Sequence, residues 1–463
     1  MEPRRRGQGA DQLSPVATGS ETGRAIVIEP WLKQAPARGA PARGDNVART
    51  PDARLEEAVG LARAIDLNVV QSGLVTLNDI RPATYIGKGK VDEIAGLTKT
   101  LEAGVVVMDC PVSPVQQRNL EKAWNAKVLD RTGLILEIFG RRARTREGAL
   151  QVEHAHLTYQ KSRLVRSWTH LERQRGGFGF LGGPGETQLE ADRRMLEERI
   201  ARIETELEKV KRTRKLHRDS RKRVPYPIVA LVGYTNAGKS TLFNRLTAAS
   251  VLSADMLFAT LDPTLRAVDL PRGNRIIVSD TVGFISDLPT MLVAAFRATL
   301  EEVIEADVIL HVRDMSHADS AAQSHDVGKV LAELGIESAD PRLVEVWNKI
   351  DRLDQNARAQ IFNIAERQTD RRHPLLVSAL TGEGIDHLLA AIESKLGERR
   401  QTFELAIDPA DGAGLSWLYR HAEVLSREMR DDGRLGVKVR ADQKNAELVK
   451  HRYPEVAKNN LRE

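Results

Sequence analysis

Ile228-Val229-Ala230-Leu231-Val232 is an unbroken apolar run rich in β-branched residues. Such a run fits a strand buried on both faces of a parallel sheet. A glycine-bounded turn follows, and Thr241–Leu246 then reads as a helix. Three further stretches, 275–279, 344–347 and 375–377, also read as strands. Together they predict an α/β domain over residues 224–398, a mostly parallel sheet with helices on both faces. Upstream, 25–140 alternates between strand-like and helix-like segments. Ala25–Ile28, Asn68–Leu77 and Gly104–Asp109 read as strands. Leu55, Val59, Leu61, Ala62 and Ile65 line one helix face, and a second helix is expected between Ser113 and Lys127. This predicts a small α/β domain.

Between 141 and 223 the period changes. Leu150, Leu157, Leu164 and Leu171 recur every seven residues, as do apolar positions from Leu189 through Leu196, Ile203 and Val210. Two long amphipathic helices in an antiparallel hairpin follow from that pattern. Their joining segment, 176–185, holds six glycines around Phe178, Phe180 and Leu181. Residues 399–463 alternate as strand 402–407, helix 414–426, strand 434–439 and helix 441–452, a small α+β domain. Residues 1–24 and 33–50 are rich in Pro, Gly, Ala and Arg without periodicity, and disorder is expected there.

The chain has 463 residues, enough for about three domains, and a formal net charge of +5. Such a mild basic excess permits a nucleic-acid partner without requiring one. A single cysteine, Cys110, excludes an intramolecular disulfide and suits a reducing compartment. No membrane span or hydrophobic leader is legible, so a cytoplasmic protein is expected, and a monomer.

Chemistry concentrates where the strands end. Gly233-Tyr234-Thr235-Asn236-Ala237-Gly238-Lys239-Ser240 has the spacing of a phosphate-cradling loop. Its glycines let backbone N–H groups converge on a phosphate, Lys239 reaches the terminal phosphates, and Ser240 can ligate Mg²⁺. Phe258-Ala259-Thr260-Leu261-Asp262 offers Thr260 as a second hydroxyl for the metal. In Asp280-Thr281-Val282-Gly283, Asp280 holds the metal through water and the Gly283 N–H senses the γ-phosphate. Asn348-Lys349-Ile350-Asp351 supplies, in Asp351, two acceptors that guanine satisfies and adenine does not. Ser378-Ala379-Leu380 brings an N–H to the guanine carbonyl. The expected catalytic set is Lys239, Thr260 and Gly283, with GTP as ligand, Mg²⁺ as cofactor and Ser240 and Thr260 as its ligands. Phe284 stands where many GTPases carry a water-orienting glutamine, which predicts slow turnover without a partner. Tyr85-Ile86-Gly87-Lys88-Gly89-Lys90 could also grip a phosphate, but no Lys-Ser/Thr pair opens its helix, and a plain helix entry is the expectation.

In Asp130–Leu136, Arg144–Gly148, Gly182–Glu190, Gly233–Ser240, Phe258–Thr264 and Asp280–Phe284, the chain resembles the HflX family of ribosome-associated GTPases. The resemblance implies an N-terminal α/β subdomain, a helical hairpin and a GTPase domain. It further implies binding to the large ribosomal subunit and a role in splitting or rescuing stalled ribosomes, with the hairpin tip approaching the peptidyl-transferase region. An apolar residue at Phe284 matches that family. Phe178 and Phe180 at the tip, with Arg163 and Arg166 on the first arm, are the candidate rRNA contacts. Two alternatives stay open: a regulatory GTPase with a protein effector, whose basic hairpin is a solvated coiled coil, and a ribosome assembly factor.

Overall fold

The computed structural model describes residues 23–33, 49–174, 184–221, 226–247, 257–258, 264–288, 300–367, 373–398, 401–430, 432–441 and 443–454. They divide into two compact units, one made of residues up to 141 with 149–206, the other of 142–148 with 207–463.

In the first unit, strands β1 (Arg24–Leu32), β2 (Asn68–Leu77), β3 (Val105–Met108) and β4 (Lys127–Asp130) form an all-parallel sheet in the order β2-β1-β3-β4. Helices α1 (Pro51–Arg63), α2 (Lys88–Thr100) and α3 (Pro114–Trp124) make the crossovers. The core runs from Ile26 and Ile28 through Val106 and Met108 to Leu120 and Trp124. Helix α2 begins at Lys88 from Gly87, whose cap lacks a side-chain bond, and Lys90 pairs with Glu93 one turn on. Strand β4 and helix α4 (Arg131–Arg142) were not in the sequence reading. Four strand residues are too few for an alternation to show, and α4 follows β4 without a turn residue to mark it.

Charged groups gather where β1, β3 and β4 end. Arg131 donates to Asp109 and to Glu57, each at 2.6 Å, and Arg54 meets Glu29 at 2.8 Å. Burial, the neighbouring Asp109 carboxylate and a hydrogen bond to it push the Glu29 carboxyl up to about 8.

Helices α5 (Arg146–Gln174) and α6 (Pro184–Arg221) are the hairpin arms. His154 with Glu204, and Lys161 with Glu197, pair across them: as one number rises its partner's falls, the signature of antiparallel arms. Arg199 also pairs with Glu153 at 2.7 Å. Arg163, expected at an RNA surface, is instead turned inward. It donates to Asp130 at 2.5 Å, to the Val112 carbonyl at 3.1 Å and to Gln117, while Tyr159 donates to the same Asp130 at 2.5 Å. A carboxylate stranded at the end of β4 attracts the nearest cation, and α5 supplies it. Arg166 lies on α5 but its side chain, like Phe178 and Phe180, falls outside the described residues.

The second unit contains a six-stranded sheet in the order β10-β9-β8-β5-β7-β6. Its strands are β5 (Ile228–Gly233), β6 (Thr264–Asp269), β7 (Arg275–Asp280), β8 (Val308–Asp314), β9 (Leu343–Asn348) and β10 (Leu375–Leu376). All neighbours are parallel except the edge pair β6–β7. Helix α7 (Lys239–Thr247) follows β5 and packs Leu242 and Phe243 into a core with Val229, Leu231, Leu310 and Val346.

A three-stranded antiparallel sheet, β11 (Gln401–Ile407), β13 (Leu435–Ala441) and β12 (Glu423–Met429), closes the chain with β13 central. The helix expected over 414–426 spans Gly412–His421 instead. Ala422 is extended, at φ −148° and ψ 155°, and the chain from 423 pairs with β13, so β12 takes the residues assigned to the helix.

Candidate nucleotide site

Ligands of open α/β sheets bind beyond the carboxyl ends of the strands, and the expected motifs of the second unit that are described converge there. Gly238 adopts φ +91°, and a Cβ on it would lie 2.3 Å from Asn348 Nδ2, so only glycine lets this loop approach β9. Lys239, buried at the first turn of α7, donates to the carbonyls of Gly233 at 3.1 Å and Tyr234 at 2.8 Å. Its ammonium is thereby folded over the loop it helps to shape. Burial draws it down to about 8, against the attraction of Asp280, and the charge of Lys349 pushes the same way. Asn236 is exposed at φ +60° and Ala237 is buried. Thr235 is also buried, and its Oγ1 has no hydrogen-bond partner among the described residues.

Ser240 donates its hydroxyl to Asp280 Oδ2 at 2.8 Å, which brings together two of the three groups the sequence assigned to the metal. The next residue, Thr281, donates to the Leu231 carbonyl at 2.5 Å, and Val282 is buried. A Cβ on Gly283 would stand 2.8 Å from Thr235 Cγ2 and 3.1 Å from Lys239 Nζ, so this glycine backbone lies directly against the phosphate loop. Beyond it the chain is stitched to that loop. Phe284 donates to the Gly233 carbonyl at 3.1 Å, Thr235 N donates to the Phe284 carbonyl at 2.7 Å, and Ser286 N donates to the Tyr234 hydroxyl at 2.8 Å. The Phe284 side chain is 1% exposed, part of the interior.

The base-reading half is equally tied. Asn348 is 1% exposed; its Nδ2 donates to the Ala237 carbonyl at 2.9 Å and its Oδ1 accepts from Ala379 N at 3.0 Å. The Ala379 N–H expected to meet the guanine carbonyl is therefore committed to Asn348 in this conformation. Ser378 donates to Asp351 Oδ1 at 2.6 Å, which fixes the carboxylate expected to read the base. Lys349 adopts a left-handed φ of +64° and pairs with Asp314 at 2.8 Å. Ile350 is buried and Leu380 is exposed. Phe258 is buried at φ +57°, whereas Ala259, Thr260, Leu261 and Asp262 fall outside the described residues.

Sequence reasoning missed Asp314, Tyr234 as an acceptor, and Arg245, whose guanidinium donates to the Ala379 and Leu380 carbonyls. An acid ending the apolar run of β8, as Asp280 ends β7, was the available signal for Asp314. No local pattern announces the other two, since their partners lie far along the chain.

Family models match in four consecutive stretches: GTP-binding GTPase N-terminal over 52–140, GTP-binding GTPase Middle Region over 142–221, 50S ribosome-binding GTPase over 228–349 and HflX C-terminal domain over 363–463. Among curated relatives, the GTPase HflX of Magnetococcus marinus is 53% identical over 378 residues, 81% of this chain and 85% of its own length. The GTPase HflX of Escherichia coli K12 is 46% identical over 359 residues, covering 78% of this chain and 83% of its own. A crystal structure of SsGBP with GDP aligns over 80% of this chain and 98% of its own at 22% identity and a TM-score of 0.47, too loose a likeness to carry geometry across.

Proposed function

The chain belongs to the HflX family of GTPases, and on that premise we propose that it is a GTP-driven switch that docks on the large ribosomal subunit and splits or rescues stalled ribosomes. It hydrolyses GTP to GDP and phosphate. The observation that most directly supports the nucleotide reading is the Asn348 clamp, which joins a phosphate half built on Lys239 to a base half built on Asp351.

Each residue has a definable task. The α7 N-terminus and Lys239 receive the phosphates, and Asp351 accepts from the ring N–H and amino group of guanine. Ser240 and Asp280 present a hydroxyl and a carboxylate 2.8 Å apart, hard oxygen donors suited to Mg²⁺. Ser240 would hold the ion directly and Asp280 through water, with Thr260 as the further ligand. Bound there, Mg²⁺ would neutralise charge on the phosphates. Gly283, pressed against Thr235, presents its N–H toward a γ-phosphate. With Phe284 buried, no side chain at that position orients water, so turnover is slow until the ribosome supplies the missing group.

The hairpin carries the ribosomal part of the reading. Lys161, Arg163, Arg193 and Arg199 are all engaged in ion pairs within the first unit, so the arms offer less free positive charge than the sequence suggested. That favours the tip, with Phe178 and Phe180, over the first arm as the rRNA contact, and it is also the observation that keeps a protein effector in play. Among the described residues no helix is long and apolar enough to cross a membrane.

Co-sedimentation with ribosomes in a non-hydrolysable GTP analogue, against GDP, tests the reading. Pelleting with the large subunit in the analogue alone supports it; absence of ribosome binding in either state overturns it in favour of a protein effector. Replacing 177–184 by a short Gly-Ser link should spare GTP binding and weaken subunit dissociation. Asp351→Asn should weaken GTP and favour a xanthine nucleotide, and unchanged GTP affinity would sink the base assignment.

A further inference from the structure

Arg245 lies near the end of α7, the helix that begins with Lys239 and Ser240. Its Nε donates to the Ala379 carbonyl at 3.2 Å, and a terminal guanidinium N–H donates to the Leu380 carbonyl. The same guanidinium sits 3.7 Å from where a Cβ on Gly382 would stand. One planar cation thus holds two consecutive carbonyls of the loop that follows β10.

The geometry of the peptide unit gives this contact a consequence. In a trans peptide the C=O and the next N–H point in opposite directions. Drawing the Ala379 carbonyl toward α7 turns the Leu380 N–H away from it, and drawing the Leu380 carbonyl does the same for Thr381. The Thr381 N–H is indeed donated to Ser378 Oγ at 3.1 Å, and that hydroxyl in turn holds Asp351. Ala379 is consequently fixed at both ends, its N–H by Asn348 and its carbonyl by Arg245. A lysine could not reproduce this, because only the guanidinium presents a fork of N–H donors in one plane.

We propose that Arg245 is a positioning residue for base selection: from the phosphate-binding helix it sets the orientation of the 378–382 backbone, and so the fit of that loop and Asp351 to guanine. The proposal rests on the GTP reading above. It makes the base loop answer to α7, so that one side chain couples the phosphate half to the base half through backbone carbonyls.

Arg245→Met keeps the aliphatic stem and removes the donors. Fluorescent GDP release, GTP and ATP affinities, tripolyphosphate affinity and kcat should be measured beside wild type and Arg245→Lys. The expected result for Arg245→Met is GDP release faster by about tenfold and a GTP-over-ATP preference narrowed by a similar factor. Tripolyphosphate affinity and kcat at saturating GTP should stay within about twofold, with Arg245→Lys between Met and wild type. Equal loss of GTP and tripolyphosphate binding would mark a folding role and overturn the proposal. So would unchanged discrimination in Arg245→Met when wild type prefers GTP. Failure of wild type itself to prefer GTP over ATP would instead overturn the GTP reading, and the role of Arg245 with it. If Arg245→Met does not fold, Arg245→Lys decides by the same ratio of GTP to tripolyphosphate.

Discussion

Asn348 donates its side-chain N–H to the carbonyl of Ala237 at 2.9 Å, although 111 positions of chain separate them. Its other side-chain atom receives Ala379 N, so Asn348→Ala leaves a buried carbonyl and a buried N–H without partners. Each such orphan costs about 1–3 kcal/mol, which sets the expected loss at roughly 2–6 kcal/mol. Denaturant unfolding of the variant should show that loss together with weaker GTP and tripolyphosphate binding. A variant as stable as wild type would mean that both contacts are dispensable.

Lys239 makes nucleotide binding depend on pH. Burial holds its ammonium down to about 8. A bound phosphate favours the charged form and holds the proton to higher pH. Binding therefore takes up a proton once pH exceeds about 8, and affinity falls as pH rises from there while staying flat below. Calorimetry at about pH 8.5 in buffers of different ionisation enthalpy checks this. Binding without proton uptake would refute it.

Phe284 occupies a catalytic place in the motif but an interior place in the fold. Phe284→Gln should therefore not accelerate hydrolysis. Burying an amide there costs about 1–3 kcal/mol, visible as a lower unfolding midpoint. A rise in intrinsic turnover would show that the side chain can leave the core and orient water.

Glu29 gives the first unit a pH signature of its own. Its carboxyl is raised to about 8 by burial and by Asp109, while Arg54 and Arg131 act in the opposite sense. From about pH 4.5 to about 8 the folded state keeps a proton the unfolded chain has lost, so stability declines across that window and levels above it. Unfolding of this unit followed by hydrogen exchange over the window should show that slope, and Glu29→Gln should flatten it. The same slope in the variant would assign it to another group.

Much of the fold was legible because its strands are apolar runs and its turns are glycine motifs; β2 agrees with the sequence reading at both ends, Asn68 and Leu77. What was not legible depended on distant partners. Arg163 reads locally as one more cation on a basic arm, and only the carboxylate of Asp130, 33 positions earlier, reveals why it turns inward. Strand β12 hides in a helical-looking stretch because its pairing with β13 outweighs local propensity. In the site, motif residues fell where spacing put them, but Arg245 and Asn348 act on backbone carbonyls, which no side-chain pattern records.

The Asp130 contacts also bear on how the molecule is made. A chain emerging from its N-terminus completes β4 before Tyr159 and Arg163 exist to meet its last residue. Until α5 follows, the Asp130 carboxylate accepts from the backbone N–H groups of Gly133 and Val112 and keeps its other lone pairs in water. A fragment ending at 140 would leave that carboxylate hydrated and without its counter-ion. Retaining α5 through Arg163 restores the pair. The first arm of the hairpin is thus the piece that covers the end of the sheet preceding it.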